Sequence, residues 1–404
     1  MTTARIVIAV QAVRAFAYGF GSVIMGSALA TAGYSAAGAG AIFTAMLVGM
    51  ALMTLAVGRW SELIGRRNWY LALLAAMGVS GAVFGITAWA PALVLAAITG
   101  TLSTDANESG PITSLEQGML SDAPAEQRAR IFGRYNAAAY LAGSFGALAA
   151  GVPHALTRIS SGAPTEQRWM LAFPVLAAAC VLLARRLPKS ADLVRSGAPR
   201  ARLLESKQTV RRLAGLFAID ALAGGLIVQS FIVFWFKTRY GASTEVIGAA
   251  LSGVGLLQAG SSILAGAIAP RFGLLRTMVF THLPSNLLLA LVPFMPNLGA
   301  AIGMLLARSV LSQMDVPARQ AFIASLVQPH ERTAAAAYTN SARFLGRPAG
   351  PTIAGALMQH TALSAPFVVA GGVKALYDVV IYAVFSRAST APRGSQHQQS
   401  RGGA

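Results

Sequence analysis

The stretch that decides the fold occurs twice. Residues 124–151 read PAEQRARIFGRYNAAAYLAGSFGALAAG, and residues 328–355 read QPHERTAAAAYTNSARFLGRPAGPTIAG. At this displacement of 204, Arg128 falls on Arg332, Asn136 on Asn340, Leu141 on Leu345, Gly146 on Gly350 and Gly151 on Gly355. Two further matches lie at nearly the same displacement. Arg14-Ala-Phe-Ala-x-Gly19 falls on Asp220-Ala-Leu-Ala-x-Gly225 at 206, and Gly58 and Gly65 fall on Gly266 and Gly273 at 208. Matches in chain order at a near-constant offset predict that the chain is one unit written twice.

The unit is built for lipid. Of 404 residues, 55% are apolar and 11% charged, and the mean hydropathy is +0.59. A water-facing surface takes about 25% charged residues, so a soluble enzyme is excluded. Runs of about 20 apolar residues, the length that crosses a bilayer core, occur twelve times: 6–30, 38–58, 69–89, 92–119, 131–152, 169–187, 213–236, 246–269, 277–295, 298–320, 333–357 and 364–386. We call these spans 1 to 12. The first imitates a signal peptide but continues past Gly26 and is read as a retained helix. The expectation is an all-α integral membrane protein of two six-helix bundles, 1–187 and 213–387. A basic linker, 188–212, joins them, and a disordered tail, 388–404, follows.

Net charge is +18, and its placement gives it meaning. The loops on one side hold most of the Lys and Arg, including the linker's, whereas the opposite loops hold only Arg158, Arg168, Lys237 and Arg239. Basic loops stay on the cytoplasmic side, so both termini are expected in the cytoplasm of a plasma (inner) membrane protein. Retention of loops accounts for the charge without nucleic acid. Cys180 stands alone, and the five histidines are scattered without metal-ligand spacing. No metal, cofactor or enzymatic chemistry is expected.

Between spans 2 and 3 stands Gly58-Arg-Trp-Ser-Glu62-Leu-Ile-Gly65-Arg66-Arg67. With the repeat and the span count, it resembles the major facilitator superfamily, whose loop here reads G-x-[LY]-[SA]-[DE]-R-x-G-R-R. This chain departs from it at Leu63. The mate between spans 8 and 9 keeps Gly266, Arg271 and Gly273 and has Pro270 where the acid would stand. Pro124-x-Glu126-x-Arg128 and Pro329-x-Glu331-Arg332 also resemble the family's loops. The resemblance implies a latch that closes the cytoplasmic side in the outward-facing state. Its candidate members are Gly58, Glu62, Gly65, Arg66, Arg67, Arg128, Arg271 and Gly273, with Glu62 accepting from Arg128, Arg130 or Arg134 while the glycines permit tight turns and close approach.

Inside the spans lie Arg14, Arg308, Arg319, Arg343, Arg347 and Lys374 against Asp105, Glu108, Glu116, Asp220, Asp315 and Asp378. Charges at bilayer depth are costly and face one another or a wet cavity, so each is a functional candidate. Repeat-related positions carry opposite signs: Arg14 against Asp220, and Asp105 and Glu116 of span 4 against Arg308 and Arg319 of span 10. The resemblance puts spans 1, 4, 7 and 10 around a central cavity. Two pairings are open, one within each half and one across the halves. The expected mixture is Arg14 with Asp105 or Glu108, and Glu116 with Arg319 as a cytoplasmic gate. Lys374 and Asp378 read as an i, i+4 pair. Span 4 is interrupted at Ser109-Gly110-Pro111 and span 11 at Gly346 to Pro351, and both read as binding-site backbone.

Candidates for substrate or proton binding are thus Arg14, Tyr18, Asp105, Glu108, Asp220, Arg308, Asp315, Arg343 and Arg347, with one of Asp105, Glu108 and Asp220 expected to carry a proton. The expected function is secondary transport of a small solute by a monomer working by alternating access in the bilayer, proton-coupled, with a small anionic organic solute as substrate. The competing readings are a promiscuous drug/proton antiporter and a transport-inactive receptor or scaffold.

Overall fold

Gly65 and Gly273 show how the repeat is built. Each is at once the end of one helix and the start of the next, and each has a backbone φ near +90°, at 89° and 88°, where a side chain would be strained. They make the hairpins between spans 2 and 3 and between spans 8 and 9. The helices entering these hairpins begin alike. Ser35 accepts from the Gly38 amide and Ser243 from the Val246 amide, each capping orphan donors of a first turn.

The computed structural model describes residues 2–105, 110–121, 125–160, 162, 164–188, 205–328 and 331–389. Among them are seventeen α-helices and no strand. Spans 1 to 3 are α1 (Thr3–Thr31), α2 (Ala36–Ile64) and α3 (Arg66–Ile86). Span 4 is split into α4 (Ala90–Ala97) and α5 (Pro111–Ser121). Span 5 is α6 (Ala125–Ala149), followed by the short α7 (Val152–Ile159), and span 6 runs from a 3-10 turn into α8 (Ala172–Ala184). Span 7 is split into α9 (Lys207–Gly225) and α10 (Gln229–Tyr240), and spans 8 and 9 are α11 (Thr244–Phe272) and α12 (Leu274–Leu291). Span 10 is split into α13 (Leu298–Leu311) and α14 (Asp315–Leu326), span 11 into α15 (Arg332–Gly346) and α16 (Ala349–His360), and span 12 is α17 (Ala365–Ser389). Glu108, the side chains of Glu62 and Arg128, linker residues 189–204 and tail residues 390–404 lie outside the described residues.

Both halves pack in the same pattern. Span 1 lies along span 5, span 3 along span 6 and span 2 along span 4; in the second half span 7 lies along span 11, span 9 along span 12 and span 8 along span 10. The repeated glycines sit at these crossings. A Cβ on Gly19 would lie 2.0 Å from the Gly143 carbonyl oxygen, and one on Gly225 2.3 Å from that of Arg347. Gly146 and Gly350 are equally tight, 2.1 Å from the Phe16 oxygen and 2.2 Å from the Gly225 carbonyl carbon. Lipid gives helices no hydrophobic reason to associate, so close backbone approach at small residues does the work.

Eight helices are long and apolar enough to cross a bilayer, corresponding to spans 1, 2, 3, 6, 7, 8, 9 and 12. Among the described residues spans 4, 5, 10 and 11 fall short. They form two repeat-related pairs, the same in each half, and carry most of the charged residues within the spans and three of the four breaks.

The halves meet at one end only. One hydrophobic cluster is shared between them at the end away from the termini, including Phe43, Met46 and Phe173 from the first half and Phe231, Trp235 and Phe367 from the second. At the end bearing the termini each half has a cluster of its own, around Val7, Tyr70 and Leu115 in one and around Phe217, Met278 and Phe322 in the other. The extensive contacts between halves follow suit, linking α1 with α10, α2 with α16 and α6 with α11. Asn136, Arg130 and Arg134 on α6 and Asn340 on α15 are exposed near the end where the halves stand apart. Polar side chains at that depth belong to a water-filled opening.

Candidate functional site

Arg14 pairs with Glu116, not with Asp105. Its Nη2 donates to Glu116 Oε2 at 2.6 Å, to Thr113 Oγ1 at 3.2 Å and to Gln11. Tyr70 donates to Glu116 Oε1 at 2.8 Å and Tyr135 to Oε2 at 2.6 Å. Arg14 and Glu116 are 2% and 0% exposed, so the pair is sealed inside the first half. This corrects the expected gate between Glu116 and Arg319, because Glu116 already has a cation and two hydroxyls within its own bundle. Tyr18 lies beneath the guanidinium, 5.2 Å from its ring, and donates to the Thr101 carbonyl at 2.8 Å. That oxygen is one the break in span 4 releases.

The second half repeats the arrangement with the signs exchanged. Asp220 stands where Arg14 stands and Arg319 where Glu116 stands, and they approach to 4.0 Å. Both are better served by others. Asp220 accepts from Lys374 at 2.6 Å and Arg343 at 3.0 Å, and Arg319 donates to Asp315 at 2.6 Å. Lys374 therefore does not form the expected pair with Asp378, although the i, i+4 spacing allows it; Asp220 on the neighbouring helix draws the ammonium away. Asp220 is also not the partner of Arg308. Among the described residues Arg308 has no acid partner, and its Nε is shut from solvent without an acceptor.

Among the charges expected at membrane depth, Asp105 is one that reaches across the halves. Its Oδ2 takes Arg347, at the break of span 11, and its Oδ1 takes the Gln229 amide at 2.7 Å, at the break of span 7. Beside it the Ser230 amide and hydroxyl both donate to the Thr104 carbonyl at 3.0 Å. The first turn of α10, whose amides have no partner in their own helix, is thus capped by the opposite half, with a carboxylate at the positive end of the helix dipole. The break of span 11 is used likewise. Thr44 of α2 donates to the Pro348 carbonyl at 2.9 Å and accepts from the Thr352 amide at 3.0 Å. The interruptions read from the sequence are present, and the groups they free hold the seam. The breaks at 226–228 and 312–314, the first following Gly224-Gly225 and the second lying just before Pro317 of α14, are not among those expected from the sequence.

Of the remaining candidates, Arg343 and Arg347 keep side chains 30% and 29% exposed. In the hairpin loop Arg67 donates to the Arg185 carbonyl at 2.7 Å, closing the end of α8, Arg66 is half-buried and Arg271 is exposed. Gly65 and Gly273 are required by their turns, but a Cβ on Gly58 would meet nothing within 4 Å, which corrects its reading as a point of close approach. Glu331, buried, accepts from the Glu205 and Ser206 amides at 3.0 Å each and ties the start of α9 to the start of span 11.

Two bundles of one pattern, a charged interior and a seam closed at one end define a membrane transporter of small molecules. The chain belongs to the Major Facilitator Superfamily, whose profile matches residues 7–311 and, in a second overlapping match, residues 213–402. It is 24% identical over 358 residues to an uncharacterized membrane protein of Saccharomyces cerevisiae, covering 80% of each chain. Its fold is similar to that of a mutant of the nucleoside transporter NupG, with a TM-score of 0.76, 12% identity and coverage of 95% of this chain and 100% of that one. It is also similar to a D-xylose-proton symporter, with a TM-score of 0.68, 16% identity and coverage of 94% and 98%.

Proposed function

We propose that this protein is a proton-coupled secondary transporter, acting as a monomer, that moves a small anionic organic solute across the plasma (inner) membrane by alternating access. The basic loops favour a cytoplasmic location for both termini. On that reading the structure faces inward, with the far-side seam as its closed outer gate and Asp105, Arg347, Gln229 and Thr44 as struts. Breaking these contacts while the terminus-side halves converge is the alternate state.

The observation that carries the substrate class is Arg308. A guanidinium does not discharge under physiological conditions, and an unpaired cation at membrane depth is costly. A carboxylate or phosphate entering from the opening gives Arg308 the acid that the protein withholds. Arg343, partly exposed and bound to Asp220 on one side only, supplies a second donor.

Uptake and efflux are compared in cells expressing the protein and in empty-vector cells, with and without a protonophore. The panel comprises organic carboxylates, organic phosphates, neutral sugars, nucleosides and lipophilic cations. Flux of an anion, abolished by protonophore and reduced at least tenfold in Arg308→Gln, is the expected result. Export of lipophilic cations that Arg308→Gln leaves unchanged would overturn the substrate class in favour of drug efflux, and no flux under any gradient would favour a receptor.

A further inference from the structure

Among the described acids buried in the spans, one differs from the rest in its partner. Glu116 has Arg14, Asp220 has Lys374 and Arg343, Asp315 has Arg319, and Asp105 has Arg347. Each of these acids faces an arginine or a lysine. Asp378 on α17 is 0% exposed and has none. Its Oδ1 lies 2.9 Å from His282 Nδ1 on α12, and its Oδ2 accepts from Asn286 Nδ2 at 2.9 Å. Among the described residues its one basic partner is thus a group whose own charge is optional near neutral pH.

We propose that the Asp378–His282 pair, held by Asn286, is the proton-loading site of the transporter. The inference rests on the proton-coupled reading above and names a site for it apart from Asp105 and Asp220. The hydrogen-bond geometry accommodates the loaded form, in the tautomer of His282 that leaves Nδ1 bare. Asn286 Nδ2 also stands 3.1 Å from His282 Nδ1, so its two N–H groups serve both neighbours when Nδ1 is bare. The contact between Nδ1 and Asp378 Oδ1 then needs a proton on the carboxyl. Release is simple loss of that proton, leaving a carboxylate with a neutral imidazole and no counter-ion.

The neighbours link that charge to the substrate side. Lys374, one turn from Asp378 on the same helix, now bonds Asp220 at 2.6 Å. A carboxylate at 378 competes for this ammonium at a spacing that suits it, and Asp220 is then left to Arg343 and Arg319. Arg343 is the partly exposed cation of the opening, so the proton and the solute act on one network from opposite ends. The other ionisable groups facing the pair are Tyr377 on α17, its ring 6.1 Å from that of His282, and Asp220 on α9; Asp315 and Arg319 on α14 and Arg343 on α15 lie about Tyr377, and α13 meets α12 through the Arg308 carbonyl, which accepts from Ser285 at 3.2 Å. α11 and α16 carry ionisable residues only at their ends. Asn286 Oδ1 and the Tyr377 hydroxyl are buried without partners, an acceptor and a donor able to follow the change in charge.

The test is pH-difference infrared spectroscopy of the purified full-length protein in lipid, reading the carbonyl stretch of a buried neutral carboxylic acid. The expected result is a titrating band in the wild type that disappears in Asp378→Asn and persists in Asp105→Asn. In His282→Gln, which keeps the acid and Asn286 but replaces the imidazole acceptor of the carboxyl proton by a weaker one, the midpoint moves to lower pH. This variant keeps the proposal testable if Asp378→Asn fails to fold. A band that survives Asp378→Asn, does not move in His282→Gln and is lost in Asp105→Asn or Glu108→Gln would overturn this site and leave proton coupling standing. No titrating band in the wild type would overturn both.

Discussion

Arg14 and Glu116 form a 2.6 Å ion pair sealed within the first half, and only one of the two can be neutralised if the other is lost. Glu116 stripped of Arg14 keeps the hydroxyls of Tyr70 and Tyr135 and can take up a proton. Arg14 stripped of Glu116 keeps Gln11 and Thr113 but cannot shed its charge, because a guanidinium stays protonated. The expected order of damage is therefore Glu116→Gln worse than Arg14→Met. The first should lose about 3–5 kcal/mol, as breaking a buried pair does, and the second clearly less. Thermal unfolding of the detergent-solubilised variants, read by size-exclusion recovery, checks the order. The double variant should be more stable than Glu116→Gln alone, since it leaves no unpaired charge.

Asp105 makes two contacts across the seam, and substitutions can remove them separately. Asp105→Asn weakens the bond to Arg347 but keeps an oxygen for the Gln229 amide; Asp105→Ala removes both. Charge-assisted hydrogen bonds contribute about 1.5–3 kcal/mol each, and each 1.4 kcal/mol is about a tenfold shift between states. The far side should open in the order wild type, Asp105→Asn, Asp105→Ala. Spin labels at Ala32→Cys and Arg239→Cys, both exposed positions on opposite halves, report the distance distribution. The one native cysteine, Cys180, is buried. Unchanged distributions in Asp105→Ala would show that the seam does not depend on this strut.

Two glycines at the seam have no room for a side chain. A Cβ on Gly40 would lie 2.3 Å from the Pro351 oxygen and one on Gly355 2.4 Å from the Ala36 oxygen, backbone to backbone, with no flexible side chain to yield. Gly40→Val and Gly355→Val should each disfavour far-side closure by about 1–3 kcal/mol or more while leaving each half folded. Val233→Cys, buried in the closed seam, should become reactive toward an impermeant thiol reagent in both backgrounds. Continued protection would mean that the helices slide to make room.

Much of this was legible in the chain. The repeat, the hairpin glycines and the charges at membrane depth could be read because each is a local exception in an apolar background. The pairing of those charges could not. Spacing shows which face of a helix a side chain takes, but which neighbour it meets depends on tilt and rotation. Arg14 therefore met Glu116 and not Asp105, and Lys374 crossed to Asp220 instead of reaching Asp378 on its own helix. His282 carries no mark in the sequence because its partners lie 96 and four positions away, one of them on another helix. The break at 226–228 follows Gly224-Gly225, and the opposite half, through Asp105 and Thr104, satisfies the amides it frees; the break at 312–314 precedes Pro317, which has no N–H for the Gln313 carbonyl.

Glu166, at the start of span 6, gives the seam a second lock that the sequence placed in an ordinary loop. Its carboxylate accepts from Ser27 at 2.6 Å and His154 at 3.1 Å in its own half, and from Thr244 at 2.8 Å in the other, with Lys237 at 3.8 Å. Four donors around one acceptor predict that charge and not shape matters here, so Glu166→Gln should open the far side measurably in the spin-label experiment. Lys237→Gln should do little, because a partly exposed contact at that distance contributes less than about 1 kcal/mol. Glu166 and Asp105 share no partner and bias the same two-state seam. Their effects on the closed-to-open free energy should therefore add to within about 0.5 kcal/mol in the Asp105→Asn, Glu166→Gln double variant. A larger coupling would show that the outer gate opens in stages, with one lock releasing only after the other.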